Sequence, residues 1–124
     1  MDKRQGISGG VMELDWAKEL GVACTVLDTD GIILYMNQKA CKTFEKYGGH
    51  ALIGKNALDC HPEPARSKLA VMLKDPYTNA YTIEKGGLKK LIYQTPWHEA
   101  GKFMGIVELS LELPEQMPHH VRKP

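Results

Sequence analysis

The tightest grouping of reactive side chains is Cys60-His61-Pro62, inside the run Asp59-Cys60-His61-Pro62-Glu63-Pro64. An imidazole and a thiolate are both metal ligands, and a cysteine near a helix start can have a lowered pKa suited to redox sensing. The prolines mark a helix entry, with Pro62 and Pro64 in or just before the first turn. A residue before proline is pushed toward extended backbone, so a solvated or capping His61 fits the same pattern. Cys24 and Cys41 sit on apolar stripes, where cysteine behaves as a small hydrophobe. His119-His120 are adjacent histidines in a basic tail, a thin basis for a metal site. Glu13, Asp15, Glu63 and Asp75 are scattered on helical segments, where solvated faces are the default. The chain carries no H-E-x-x-H, no G-x-x-x-x-G-K-[ST] and no spacing that suggests a Ser-His-Asp arrangement, so no enzyme activity is expected.

These groups sit in a chain of 124 residues, enough for one domain with one modest core. Hydrophobic residues make up 43% and charged ones 25%, which argues for a folded chain and against disorder. A net charge of +1 supplies no field to recruit nucleic acid or an anionic membrane. No apolar run reaches the length of a membrane span, and residues 1–10 read as a flexible leader rather than a signal peptide. Three cysteines without C-x-x-C spacing favour free thiols in a reducing cytoplasm.

The elements that must position the reactive groups follow from periodicity. Met12, Trp16 and Leu20 repeat at i, i+4, i+8, which predicts an amphipathic helix over 11–20. Its stripe must be buried, either on the same domain's sheet or across a homodimer. Val22 to Leu27 and Ile32 to Met36 are short apolar runs flanking Asp28-Thr29-Asp30-Gly31, the pattern of a β-hairpin. Asn37 then caps a helix carrying Ala40, Cys41, Phe44 and Tyr47. Leu52, Ile53 and Leu58 anchor short turns, and Ala65, Leu69, Met72 and Leu73 give the next helix its core stripe. Strands follow over Ala80–Ile83, Leu88–Trp97 and Phe103–Leu111. Pro114 and Pro118 lead into a tail over 115–124. The sum is α+β: five strands, the last three in an antiparallel meander, with a helical middle on one face.

The runs VLDTDGIILYMNQKACKTF (26–44), LIGKN (52–56) and GKFMGIVELSLELP (101–114) together resemble a PAS domain over roughly residues 20–113. The matching positions are the D-x-D-G turn, Asn37 with Ala40 three residues on, Ile53-Gly54-Lys55, and Gly101 with Gly105. Cys60-His61-Pro62 also resembles the motif that opens the middle helix of small stand-alone bacterial PAS proteins. The resemblance implies a core over 21–114 with sheet order 2-1-5-4-3 and a ligand cavity between sheet and helices. Its candidate lining is Tyr35, Phe44, His61, Leu69, Met72, Tyr81, Tyr93, Thr95 and Trp97, although packing in core or dimer interface is the default explanation of Tyr81, Tyr93, Thr95 and Trp97. The family's use of a pocket histidine for haem makes His61 a candidate axial ligand, with Cys60 as the alternative. A flavin photosensor's Asn-Cys-Arg-Phe-Leu-type motif is missing. The implied function is a cytoplasmic sensory module, homodimeric through Met12, Trp16 and Leu20, that binds a small ligand and signals to a partner protein. The alternatives are a haem-based gas or redox sensor, and a ligand-free interaction and dimerisation module.

Overall fold

Side chains that alternate between two sheet faces must be sorted by register, and the register here is continuous across five strands. The computed structural model describes residues 14–124. Its strands are β1 (Ala23–Leu27), β2 (Ile33–Met36), β3 (Asn79–Lys85), β4 (Leu88–Glu99) and β5 (Lys102–Leu113). They form one antiparallel sheet in the order β2-β1-β5-β4-β3, as expected. Between β2 and β3 lie α1 (Gln38–Thr43), 3-10 turns at Glu45–Tyr47, Gly49–Leu52 and Ala57–Cys60, and α2 (Ala65–Lys74).

The β1–β2 turn is held by one carboxylate. Asp28 Oδ1 accepts from the backbone N–H groups of Asp30 and Ile32, both at 2.9 Å. Gly31 takes φ +86°, a conformation that costs glycine little. Asn56 fastens the turn to the helical layer, donating to the Asp30 carbonyl and accepting from Leu58 N–H. The adjoining Gly54 and Lys55 exchange backbone hydrogen bonds with Ile33. That contact covers part of the otherwise open β2 edge.

Leu27, Ile33, Met36, Ala40, Leu52, Ala57, Leu69, Met72 and Ile106 form the core between the sheet and the helices. Phe44, Ile53, Leu58, Leu73 and Phe103 close its rim. The helical layer makes its main sheet contacts with β1, β2 and β5, which leaves β3 and β4 with little helical cover.

The N-terminal helix differs from expectation. Residues 11–13, Met12 among them, and the leader over 1–10 lie outside the described residues. Residues 16–19 form a turn, with Lys18 and Leu20 N–H donating three residues back rather than four. Leu14 and Trp16 are 79% and 72% exposed, so the expected stripe has nothing to pack on within this chain's described residues. A segment this short gains little helical stability without packing. Residues 115–124 form no helix or strand and are exposed.

Gly105 is where β5 passes the end of β1. A Cβ there would lie 1.9 Å from the Leu27 carbonyl oxygen, at φ +142°. That same carbonyl accepts the Trp97 indole N–H at 3.0 Å. Gly105→Ala therefore forces β1 and β5 apart and displaces Trp97, with an expected loss of about 3 kcal/mol or more. Urea denaturation measures it, and a wild-type midpoint in the variant would contradict the close approach.

Candidate functional site

The faces of the sheet carry different chemistry. Ala23, Thr25, Leu27, Ile92, Gln94, Pro96, Ile106, Glu108, Ser110 and Glu112 share the helix-facing side by register. The row begins apolar at Ile106 and becomes polar toward the far end of β5. Asn79 and Tyr81 extend it onto β3, opposite Gln94 and Ile92.

Three side chains form a directed chain across β3, β4 and β5. Asn79 Nδ2 donates to Gln94 Oε1 at 2.9 Å, and Gln94 Nε2 donates to Glu108 Oε1 at 2.7 Å. Gln94 is 8% exposed, so both ends of its amide need these partners. Burial, and then the Glu108 carboxylate, push the Tyr81 hydroxyl pKa above its ordinary value. Two places further along the row, beyond Ser110, Glu112 pairs with Lys39 of α1 at 3.4 Å. Both partners of that pair are more than a third exposed, so it contributes at most about 1 kcal/mol.

The expected cavity residues divide into groups. Leu69 and Met72 are buried in the core, and Phe44 packs on its rim. Tyr81 stands on the helix-facing side beside the polar row. Tyr93 and Thr95 lie on the opposite side with Cys24, Val26, Val107 and Leu109, and Trp97 follows them in register. These three do not wall a space between sheet and helices. Each alternates with Gln94 and Pro96, so a strand predicted correctly can still be assigned the wrong inward face. Tyr35 pairs with Val26 on that same outer side. Its hydroxyl meets Asp15 at 3.5 Å, and burial followed by the Asp15 and Cys24 charges raises its pKa.

Tyr35 also lines an open cleft of about 680 Å³ with Asp15, Lys18, Gln38, Cys41 and His50. That cleft lies at the β2 edge, away from the polar row, and its charged lining is largely solvated. It is a surface feature between the lead-in turn and α1.

His61 and Cys60 close the 3-10 turn ahead of α2. His61 Nδ1 lies 2.6 Å from the Ala57 carbonyl, which can only accept, so Nδ1 carries the proton and Nε2 presents its lone pair. Cys60 Sγ is 3.7 Å from the Asn56 carbonyl and faces back into its own turn. Both side chains therefore fold back on adjacent carbonyls of the same turn. No grouping of three or more His, Cys, Asp or Glu suited to a metal occurs among the described residues. Also among them, no helix is long and apolar enough to cross a membrane.

Asn79, Gln94 and Glu108 were not among the candidates from sequence. One signal was available: of the alternating set Met104, Ile106, Glu108, Ser110 and Glu112, three are polar, unusual for a face turned toward helices.

A family model described as the PAS fold matches residues 16–87, more than half of the chain. The Aer2 receptor of Vibrio cholerae, described as a dual PAS-heme oxygen sensor, is similar in structure. Its identity is 20%, its TM-score 0.55, and the match covers 75% of this chain and 95% of that one. The PAS domain of the histidine kinase ThkA aligns at 20% identity and TM-score 0.59, over 73% of this chain and 98% of that one. A sensory box sensor histidine kinase from Vibrio cholerae aligns at 18% identity and TM-score 0.55, over 81% and 88%. Among curated proteins no relative matches.

The three thiols should separate by environment. Burial raises the Cys24 pKa, Cys41 is half-buried, and Cys60 is exposed. Alkylation followed by peptide mass spectrometry should label Cys60 first and Cys24 last, because the thiolate is the reacting form. Labelling of Cys24 ahead of Cys60 would contradict this arrangement.

Proposed function

The chain belongs to the PAS family, and from that premise we propose a non-catalytic sensory module that binds a small ligand on the helix-facing side of its sheet. The observation that carries the reading is the polar chain Asn79–Gln94–Glu108. Polar groups on an inward face cost stability relative to apolar ones, and a row of them beside a core suits recognition more than packing. Tyr81 and Ile83 beside it are 42% and 37% exposed, which leaves the row approachable from β3.

An occupant there touches β4 and β5 and lies two register steps from Glu112 and its α1 partner Lys39. Differential contact between two positions of α1 shifts their populations, and a partner protein reads the difference. Tyr93, Leu109 and Leu111 on the outer face, with Trp16 and Leu20 of the lead-in segment, supply the apolar surface for a homodimer.

Native mass spectrometry of the purified protein tests this reading, with a dimer retaining a small ligand as the expected species. An empty monomer overturns it. Removal of residues 1–20 should convert the dimer to monomer in size-exclusion chromatography, and an unchanged dimer would move the interface onto the sheet.

A haem-based sensor is the second reading, favoured by the His61 tautomer. The Ala57 carbonyl holds Nδ1–H and leaves Nε2 basic, the arrangement an axial ligand needs. His61 would hold the iron, Cys60 would not, and the haem would supply gas or redox chemistry. Added haemin should give a sharp Soret band that His61→Ala abolishes. A spectrum unchanged from free haemin overturns this reading.

A further inference from the structure

We infer that the helix-facing polar row recognises an organic cation, an ammonium or amidinium carried on a flat apolar body. This rests on the ligand-binding reading above and adds the ligand's charge and shape. The hydrogen bonds in the row all run one way, from Asn79 through Gln94 to Glu108. The chain therefore ends on an acceptor. An ionised carboxylate has about four acceptor sites, and Gln94 is the one donor to the Glu108 side chain among the described residues.

Among the described residues, no cation completes it. The cross-strand neighbours of Glu108 are Thr25 and Gln94, neither of them charged. Of the described cations, Lys39 is paired with Glu112 instead, and none lies within ion-pair distance of Glu108. A charged acceptor on an inward sheet face, fixed by a buried amide and without a counter-charge among the described residues, is complementary to a cationic donor.

The surroundings define the body of the ligand. Ile92 and Ile106 lie beside Gln94 and Glu108 on the same face, and Tyr81 stands opposite Ile92 on β3. A planar apolar group laid along this row covers the exposed Tyr81 ring and Ile83 while its cation meets Glu108. An anionic ligand of equal shape meets the carboxylate with like charge and is excluded.

The test uses two probes of one shape and opposite charge, tryptamine and 3-indolepropionate, titrated into the full chain. Backbone and side-chain amides are followed by two-dimensional NMR. Tryptamine should shift the Gln94 side-chain amide and the Ser110 backbone amide, and bind at least about tenfold more tightly than 3-indolepropionate. Glu108→Gln, whose amide oxygen still accepts from Gln94, should remove that preference. The wild-type comparison needs no variant, so a poorly folded Glu108→Gln leaves the test intact. Equal binding of the two probes, tighter binding of 3-indolepropionate, or an unchanged preference in Glu108→Gln overturns the cation and leaves a ligand face. No shift from either probe, together with a ligand-free native mass spectrum, overturns both.

Discussion

Asn37 is the constraint on which the rest of the structure depends. Its side chain is 1% exposed and makes four hydrogen bonds, using both amide ends completely. Oδ1 accepts from Cys24 N–H in β1 and Ala40 N–H in α1, and Nδ2 donates to the Ala17 and Val22 carbonyls at 2.8 Å. One residue thereby joins the lead-in turn, the start of β1, the end of β2 and the first turn of α1. Each of those backbone groups, left buried without a partner, would cost about 1–3 kcal/mol. No other amino acid presents two acceptor directions and two donors on so short a stem. Asp keeps the acceptors and loses the donors. Leucine has the size and satisfies none of the four.

With that junction fixed, the sheet face is no longer free to choose its inward side. Ala23 and Leu27 face the helices because Asn37 fixes where α1 starts relative to β1, and every strand beyond follows by two-residue alternation. Gly105 then sets how closely β5 can approach Leu27. The inward face divides along its length. Near Ile106 it is closed by Leu69 and Met72 and behaves as core, while at Gln94 and Glu108 it is polar and takes little of its cover from the helices. Core packing and the polar chain lie at opposite ends of the same row.

The sequence made the elements and their order legible because those depend on local signals. The Asp28 turn, the Asn37 cap, Pro62 and Pro64 ahead of α2, and the glycines between β3 and β4 act within a few residues. Inward and outward faces are long-range properties, and here both strand faces carry apolar residues. Leu91, Tyr93 and Trp97 give the stronger hydrophobic row in β4, yet register turns Ile92, Gln94 and Pro96 toward the helices. The polar row escaped notice for the same reason: Asn79, Gln94 and Glu108 are 15 and 14 residues apart in the chain, and only the pairing brings them together. The expected helix over 11–20 rested on spacing alone, and its described residues lack the packing that would stabilise it.

The energetic contrast between the junction and the row bears on how a signal could travel. Four hydrogen bonds at Asn37, two of them buried and two part-buried, make the lead-in segment move with α1, since breaking them together costs much of the stability of a domain this size. The contact between α1 and the polar row is the exposed Lys39–Glu112 pair, worth at most about 1 kcal/mol. On the proposed reading, a displacement of Glu112 perturbs this weak contact, while Asn37 carries any resulting shift of α1 to the turn around Ala17. A stiff output joined to a soft input responds to small differences in ligand contact, which is the behaviour a two-state sensor requires.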